Sequence, residues 1–171
     1  MGVIKVRRLL PTNAAAYQRV RLQGLRECPS AFASSHEEEA ATSIAVLAER
    51  LAAKDDRALF GAFSTDELVG IVGVRRESMR KLAHKAILWG MYVAPPARRA
   101  GVGRQLVAAA LAFAGETLGV RQVNLSVNDK NLAAIALYRR LSFEPFGLER
   151  GYLRIDGELH DELHMVCVLP A

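Results

Sequence analysis

Cysteine is scarce in this sequence, and long apolar runs are absent from it. Cys28 and Cys167 are its two cysteines, far apart and without Cys-x-x-Cys spacing, which favours buried thiols over a disulfide or a metal site. No apolar stretch approaches the roughly 18 residues that a membrane-spanning helix needs. The first eight residues include Lys5, Arg7 and Arg8, and this charge argues against a signal peptide. We therefore expect a protein of the reducing cytoplasm that needs neither a membrane nor a metal.

A concentrated basic surface is also absent, although the net charge is +5 and the isoelectric point is about 9.6. Such a charge is compatible with binding to nucleic acid, an anionic lipid surface or a polyanionic small molecule. The basic residues are scattered, and no basic block is interleaved with aromatic residues. This distribution disfavours a nucleic-acid-binding module, which is retained as a minor alternative.

The pattern that is present predicts a single domain over residues 1–171, in which strands and helices alternate. The first half is predicted to contain a strand at 3–9, a helix from Pro11-Thr12-Asn13 to about Glu27 that Pro29 ends, and a helical stretch at 37–53 with a candidate break at 42–43. A β-hairpin of strands 58–63 and 67–74 and a strand at 86–93 follow. The second half is predicted to contain a helix at 101–118, a strand at 122–127, a helix at 130–141, and strands at 143–150 and 158–169, with Gly151 and Gly157 on either side of the link between the last two strands. The strand at 86–93 is nearly all apolar, which indicates burial on both faces. This order predicts an α/β fold with a mixed sheet and helices on both faces.

The most informative segment joins the central apolar strand to the helix that follows it. Two prolines end the strand, and the motif Arg98-x-x-Gly101-x-Gly103 precedes the helix. The free N–H groups and the dipole of a first helical turn bind anions, and glycine lets a phosphate approach the backbone closely. Arg99 and Arg104 add positive charge beside Arg98. We predict a pyrophosphate site here rather than a turn that uses glycine for geometry alone, although neither a P-loop nor a dinucleotide-binding motif is present.

This motif resembles the acyl-CoA signature of the GNAT superfamily of N-acetyltransferases. Residues 124–143 resemble the next motif of that family, in which Asn-x-x-Ala-x-x-Leu-Tyr and a following Gly-Phe are typical. Residues 131–138 match it, whereas Ser142 stands where glycine is usual. The likeness is strong from about residue 87 to 146, and the order of elements extends it over the chain.

The resemblance implies both a fold and a set of cofactor-binding residues. The fold is a mixed, mostly antiparallel sheet whose central parallel strands, near Trp89–Val93 and Val123–Val127, splay apart around acetyl-CoA. Main-chain groups around Met91 to Val93 would bind the pantetheine arm and polarise the thioester, and Arg98 to Arg104 would hold the pyrophosphate. The implied cofactor-binding set is Met91, Tyr92, Val93, Arg98, Arg99, Ala100, Gly101, Val102, Gly103, Arg104, Asn131 and Tyr138.

Acetylation of an amine requires a neutral amine and a proton for the departing thiolate. For a lysine-like amine with a pKa of about 10.4, deprotonation at pH 7 costs roughly 4–5 kcal/mol, which calls for a general base or a desolvating pocket. Tyr138 lies seven residues after Asn131, so the two share one helix face about 10 Å apart along the axis. We predict that Tyr138 is the catalytic acid and that Asn131 forms hydrogen bonds to the amide groups of the cofactor. The alternative is that Tyr138 is only a core aromatic residue and Asn131 only a helix cap.

The sequence does not identify the general base. Members of the family place a glutamate on the central strand or, in certain N-terminal peptide acetyltransferases, at the position aligned with Ser126, and neither carboxylate is present. His84, Glu37–Glu39, His160 and His164 remain candidates. Glu37–Glu39 are otherwise explained as the solvated start of a helix, or as part of the entrance to the acceptor site, where they would favour a cationic substrate. His164 is disfavoured as a metal ligand because no second ligand has suitable spacing.

The sequence therefore predicts an acetyl-CoA-dependent N-acetyltransferase that acts without a metal on a primary amine of a small molecule or peptide, by direct attack in a ternary complex. A catalytically inactive acyl-CoA-binding sensor or interaction domain is the alternative, because the expected carboxylates are missing. The expected partners are acetyl-CoA and an amine acceptor of unassigned identity, and a homodimer formed through the final strands is a family-level expectation.

Overall fold

A computed structural model describes residues 3–170, and a sheet of seven strands forms its centre. The strands are β1 (Ile4–Arg8), β2 (Arg57–Ser64), β3 (Glu67–Arg76), β4 (Lys85–Val93), β5 (Gln122–Asn128), β6 (Glu144–Ile155) and β7 (Glu158–Val168). Their order across the sheet is β1-β2-β3-β4-β5-β7-β6. Only β4 and β5 pair in parallel among these described strands. The predicted mixed, mostly antiparallel sheet is confirmed.

Five α-helices connect the strands in the described part of the chain. They are α1 (Ala14–Glu27), α2 (His36–Ala40), α3 (Ile44–Leu51), α4 (Val102–Glu116) and α5 (Leu132–Arg140). The predicted break at 42–43 is confirmed, and its cause is Ser43, whose hydroxyl accepts a hydrogen bond from the Val46 N–H at 3.3 Å and so starts α3. Within residues 3–170, no helix combines the length and apolar character needed to cross a membrane.

The two faces of the sheet bury separate apolar clusters. Helices α4 and α5 pack on one face, where Leu106 and Phe143 are almost completely buried. Helices α1 and α3 pack on the other, around Leu47 and Ile71. Helices on both faces were predicted from the order of the elements, and the structure confirms them. The consequence for function is that β4 and β5 are held from both sides where they run parallel.

Strands β4 and β5 then diverge. They pair only between Lys85–Ile87 and Gln122–Asn124, and β4 bulges beyond this point because two of its residues, Gly90 and Met91, oppose the single residue Val72 of β3. Gly90 takes the left-handed conformation at the bulge, with φ of +64°. The prediction that β4 is buried on both faces is wrong: Ala86, Leu88 and Tyr92 are buried, whereas Ile87, Val93 and residues 89–91 are only half-buried.

The last hairpin is longer than the sequence suggested. Gly151 was expected to bracket the link with Gly157, but it lies inside β6, where the register with β7 shifts between Glu149 and Leu153. Asp156 and Gly157 make the turn alone, both with positive φ. An isolated glycine in a strand marks a bulge as readily as a turn, which is why its position alone misplaced the end of β6.

Candidate functional site

The divergence of β4 and β5 opens a cleft of about 850 Å³. This volume lies in the range of small-molecule binding sites. The walls are the two strands, the first turn of α4, one face of α5 and the segment after α1. Every residue of the predicted cofactor-binding set lines the cleft except Ala100. The sequence motifs therefore converge in one place in the folded chain.

The first turn of α4 presents free backbone N–H groups to this cleft. The first helical hydrogen bond runs from the Gln105 N–H to the Gly101 carbonyl, at 3.1 Å, so the amides of residues 102–104 have no partner within the helix. Gly101 caps the helix with φ of +75°, and a Cβ there would meet no described atom within 4 Å. An anion can thus approach the helix end closely, with Arg99 and Arg104 lining the same wall.

Gly103 has a different role from the one that the motif suggested. A Cβ at this position would lie 3.1 Å from both Met91 Cε and Leu137 Cδ2. Glycine therefore favours the close packing of α4 against the Met91 and Leu137 side chains, whereas the sequence analysis attributed it to the approach of a phosphate. Close packing of these three elements fixes the helix end relative to the strand bulge.

Arg98 is held by contacts within the protein. Its Nε donates to the Val93 carbonyl at 2.8 Å, and its Nη2 donates to Glu27 Oε2 at 3.2 Å. The Tyr92 hydroxyl donates to the same carboxylate oxygen at 2.7 Å. Hydrogen bonds from Tyr92 and Gln23, followed by the contact with Arg98, hold the pKa of Glu27 below its usual value. Arg98 thus ties the end of β4 to α1, and its predicted phosphate contact stays a prediction.

Asn131 and Tyr138 combine structural contacts with positions on the cleft wall. Asn131 caps α5, where its Oδ1 accepts a hydrogen bond from the Ala134 N–H at 3.2 Å. The Tyr138 ring packs edge-to-face on Phe143 with the centroids 5.7 Å apart, and the residue is 6% exposed. Burial raises the pKa of Tyr138 far above its ordinary value. Its hydroxyl is therefore protonated at neutral pH.

Two donors on the cleft wall lack a partner in the described chain. Asn128 Nδ2 and Trp89 Nε1 are buried and make no hydrogen bond to residues 3–170, and both residues line the cleft. A buried donor without a partner costs about 1–3 kcal/mol. The Trp89 indole lies over Gly73 of β3, whereas Asn128 Nδ2 fits a ligand that brings a hydrogen-bond acceptor into the cleft, and the sequence analysis had assigned neither group.

The acidic run that was considered as a source of the base lies away from this cleft. Glu38 completes a capping box at the start of α2, where its Oε2 accepts from the Ser35 N–H at 2.7 Å. Glu39 pairs with the buried Arg21 at 3.2 Å, and Glu37 is exposed. None of these glutamates lines the cleft. The interpretation of the run as a helix start accounts for the contacts of Glu38, whereas Glu39 forms a largely buried ion pair with Arg21.

Among the histidine candidates, His164 is connected to the cleft. Its Nδ1 lies 2.8 Å from Ser126 Oγ, and Ser126 lines the cleft. His84 lies in the loop before β4 and His160 lies near the turn of the β6–β7 hairpin, and neither lines the cleft. Ser126 was recognised from the sequence only as a missing carboxylate, so its contact with His164 is new.

Residues 22–143 match the model of the acetyltransferase (GNAT) family. The chain belongs to this family. Among its GNAT relatives is the N-alpha-acetyltransferase RimI of Mycobacterium tuberculosis, 38% identical over 97 residues that cover 57% of this chain and 58% of that protein. The matched segments cover between 20% and 58% of the lengths of the curated relatives.

Solved structures share the fold of this GNAT chain over nearly its whole length. An acetyltransferase of the GNAT family from Streptococcus pneumoniae superposes with a TM-score of 0.85 and 21% identity, over 98% of this chain and 100% of that one. A GNAT phosphinothricin acetyltransferase from Sinorhizobium meliloti, solved in complex with AcCoA, gives a TM-score of 0.83 and 18% identity, over 97% and 88% of the two chains. Identities this low establish the common fold alone.

Proposed function

We propose that this GNAT protein transfers the acetyl group of acetyl-CoA to a primary amine. The observation that carries the proposal is the cleft between β4 and β5, which has free helical amides at one end and the protonated Tyr138 on its wall. Membership of the family and the acetyl-CoA complex of a neighbour with the same fold support this activity.

The residues of the cleft fit the chemical groups of acetyl-CoA. The amides of residues 102–104, together with Arg99 and Arg104, suit a pyrophosphate because they combine N–H donors with positive charge. At the β4 bulge, Gly90 and Met91 have no partner in the ladder with β3, and pairing with β5 has already ended. Their main-chain groups are thus available to the amides of a pantetheine arm.

Tyr138 is suited to donate a proton when the thioester breaks. In the proposed reaction, the nitrogen of the neutral amine forms a bond to the carbonyl carbon and loses a proton to water, and the carbon–sulfur bond then breaks. The sulfur takes the hydroxyl hydrogen of Tyr138, and the tyrosinate recovers a proton from water. Burial keeps the hydroxyl protonated at the start of each cycle, and because it disfavours the tyrosinate it also raises the free-energy cost of this proton transfer. Direct attack in a ternary complex needs no covalent enzyme intermediate.

The acceptor is proposed as a primary amine of a small molecule or a peptide. A peptide N-terminus is one candidate because a relative is named as an N-alpha-acetyltransferase, and phosphinothricin is another because a neighbour of the same fold is named for it. The side-chain amine of a lysine is the third class to be compared.

The test measures free thiol release from acetyl-CoA with three acceptors: an alanyl pentapeptide, Nα-acetyl-lysine amide and phosphinothricin. We expect thiol release with at least one of them, in equal amount to the acetylated amine seen by mass spectrometry. A folded protein that binds coenzyme A by calorimetry but acetylates none of the three would contradict the proposal and favour the inactive sensor domain.

A further inference from the structure

A chain of hydrogen bonds links one side chain from each of the last three strands. Ser126 Oγ on β5 lies 2.8 Å from His164 Nδ1 on β7. His164 Nε2 lies 3.0 Å from Glu149 Oε2 on β6. Ser126 and His164 are directly paired in the antiparallel ladder, so the backbone itself fixes the contact between the serine and the imidazole.

The carboxylate determines the tautomer of the imidazole. An ionised Glu149 only accepts hydrogen bonds, so the hydrogen of a neutral imidazole must be on Nε2. Nδ1 is then unprotonated and accepts the hydroxyl hydrogen of Ser126. The serine oxygen keeps its lone pairs free for a donor in the cleft. The same logic orients the histidine of a serine–histidine–aspartate triad.

Ser126 and Tyr138 reach the cleft from opposite faces of the sheet. Leu125 and Val127 belong to the apolar cluster that contains Tyr138. Because neighbouring residues of a strand alternate in direction, Ser126 points to the other face, while still lining the same cleft. A group that accepts a proton from the incoming amine and a group that gives one to the departing sulfur are thus placed on different sides.

The surroundings of His164 are aromatic and mostly acidic. Phe146 and Tyr152 place their ring centroids 6.0 and 6.3 Å from its imidazole, and a small cavity of about 210 Å³ borders it. The charged or titratable groups that face it are Glu149 and Tyr152 of β6, Glu162 of β7, Glu77 beyond β3 and Lys85 of β4. Three carboxylates against one ammonium make this region net negative, which favours the approach of a cationic amine.

We propose that Ser126, His164 and Glu149 form the general-base relay of the acetyl transfer, an inference that rests on the proposed function. Ser126 is assigned as the catalytic residue because it is the member of the three that lines the cleft, whereas His164 and Glu149 are positioning residues that act through it. An imidazole suits this task because its ordinary pKa lies nearest to neutral pH among the side chains. The relay supplies the base that no carboxylate on β4 or β5 provides.

The proton balance of the relay is complete. The bound ammonium gives a proton to Ser126 Oγ while the serine hydroxyl hydrogen moves to His164 Nδ1, and the imidazolium releases it to water. The neutral amine then forms the carbon–nitrogen bond. The relay takes the second proton from nitrogen and the imidazolium releases it to water, the carbon–sulfur bond breaks, and Tyr138 protonates the sulfur before recovering a proton from water. One proton is released in total.

The first test needs no turnover. Long-range ¹H–¹⁵N correlation spectra of the ¹⁵N-labelled protein distinguish protonated from unprotonated ring nitrogens, and the signals of His164 are assigned by their loss in His164→Gln. At pH 8 we expect hydrogen on Nε2 and an unprotonated Nδ1, and we expect Glu149→Gln to change this preference. A wild-type imidazole with its hydrogen on Nδ1 overturns the relay.

The second test compares the pH profile of kcat/KM in the wild type with that of Ser126→Ala, His164→Gln and Glu149→Gln. General bases contribute about 10²- to 10⁴-fold, so we expect His164→Gln to lower kcat about 10²-fold and to remove the acid limb of the profile. The KM for acetyl-CoA should stay within twofold. Glu158→Gln is the matched control because Glu158 is an exposed carboxylate of β7, and we expect it to behave as the wild type.

A rescue variant and a binding measurement separate the possible failures. Ser126→Glu in the His164→Gln background places a carboxylate directly in the cleft. We expect the kcat of this double variant to be at least tenfold higher than that of His164→Gln alone. We expect every variant to keep the wild-type affinity for coenzyme A and the wild-type thermal midpoint, which would show that the fold and the coenzyme A site are intact. A wild type that acetylates no amine refutes the proposed function and the relay with it. A wild type that is active while His164→Gln keeps its pH profile refutes the relay alone.

Discussion

Replacing Tyr138 with phenylalanine removes one hydroxyl group from the cleft wall and leaves the ring in place. The ring is 6% exposed and packs against Phe143, so this packing is retained. The raised pKa of Tyr138 comes from burial alone, without a hydrogen bond to the hydroxyl, so its loss leaves no protein group without a partner. We therefore expect the free energy of unfolding to change by less than about 1 kcal/mol.

The same substitution should have a large effect on acetyl transfer. Without the hydroxyl, the sulfur leaves as a thiolate that no side chain protonates, and we expect kcat to fall about 10²-fold or more. Since a tenfold change corresponds to about 1.36 kcal/mol, the lost transition-state stabilisation is about 2.7 kcal/mol. Free thiol release gives kcat, and urea unfolding gives stability.

Tyr17→Phe is the control for this experiment, because Tyr17 is equally buried but lies in the cluster on the other face of the sheet. It should retain the wild-type kcat. A Tyr138→Phe protein that stays folded and loses less than threefold in kcat would refute the assignment of Tyr138 as the acid.

Three further predictions concern stability. Gly101→Ala should lower the free energy of unfolding by about 1–2 kcal/mol because φ is +75° there. Gly115 lies on the same helix and has room for a Cβ, so Gly115→Ala should raise the free energy of unfolding by about 0.5 kcal/mol. Urea unfolding measures both variants, and equal effects of the two substitutions would contradict this prediction. Ser142→Gly should raise the free energy of unfolding by about 1 kcal/mol because Ser142 has φ of +65°, and a fall in the thermal midpoint would contradict this. Burial raises the pKa of Glu162, so the folded state binds more protons than the unfolded state above the ordinary value of about 4.3, and stability falls as pH rises toward the raised pKa. Glu162→Gln should therefore raise the free energy of unfolding relative to the wild type, by a difference that increases between pH 4 and 8. A difference that decreases over this range would contradict the prediction.

The elements of this fold could be predicted from the sequence because their signals are local. Helix α1 ends at Glu27, shortly before Pro29, as expected. The β2–β3 hairpin follows from two apolar runs around a short polar turn. The position of Ser142 as a substitute for glycine was also visible, and the structure shows that the serine adopts the left-handed conformation that glycine would favour.

The contacts that organise the cleft could not be predicted in this way. Arg98 meets Glu27 across 71 positions of the chain, and a motif that places arginine near a phosphate gives no information about that partner. Ser126 meets His164 across 38 positions, and this pairing depends on the register between β5 and β7. A one-residue slip of that register would turn His164 to the other face, so the relay becomes visible only with the folded sheet.

The central claim is that the first turn of α4 grips the diphosphate of coenzyme A. Titration of the ¹⁵N-labelled protein with coenzyme A tests it directly, by following the backbone amide signals of Val102, Gly103 and Arg104. The account predicts that these three amides shift together and saturate with the bound fraction, because their N–H groups gain acceptors. Saturating coenzyme A that leaves all three signals unmoved would contradict it.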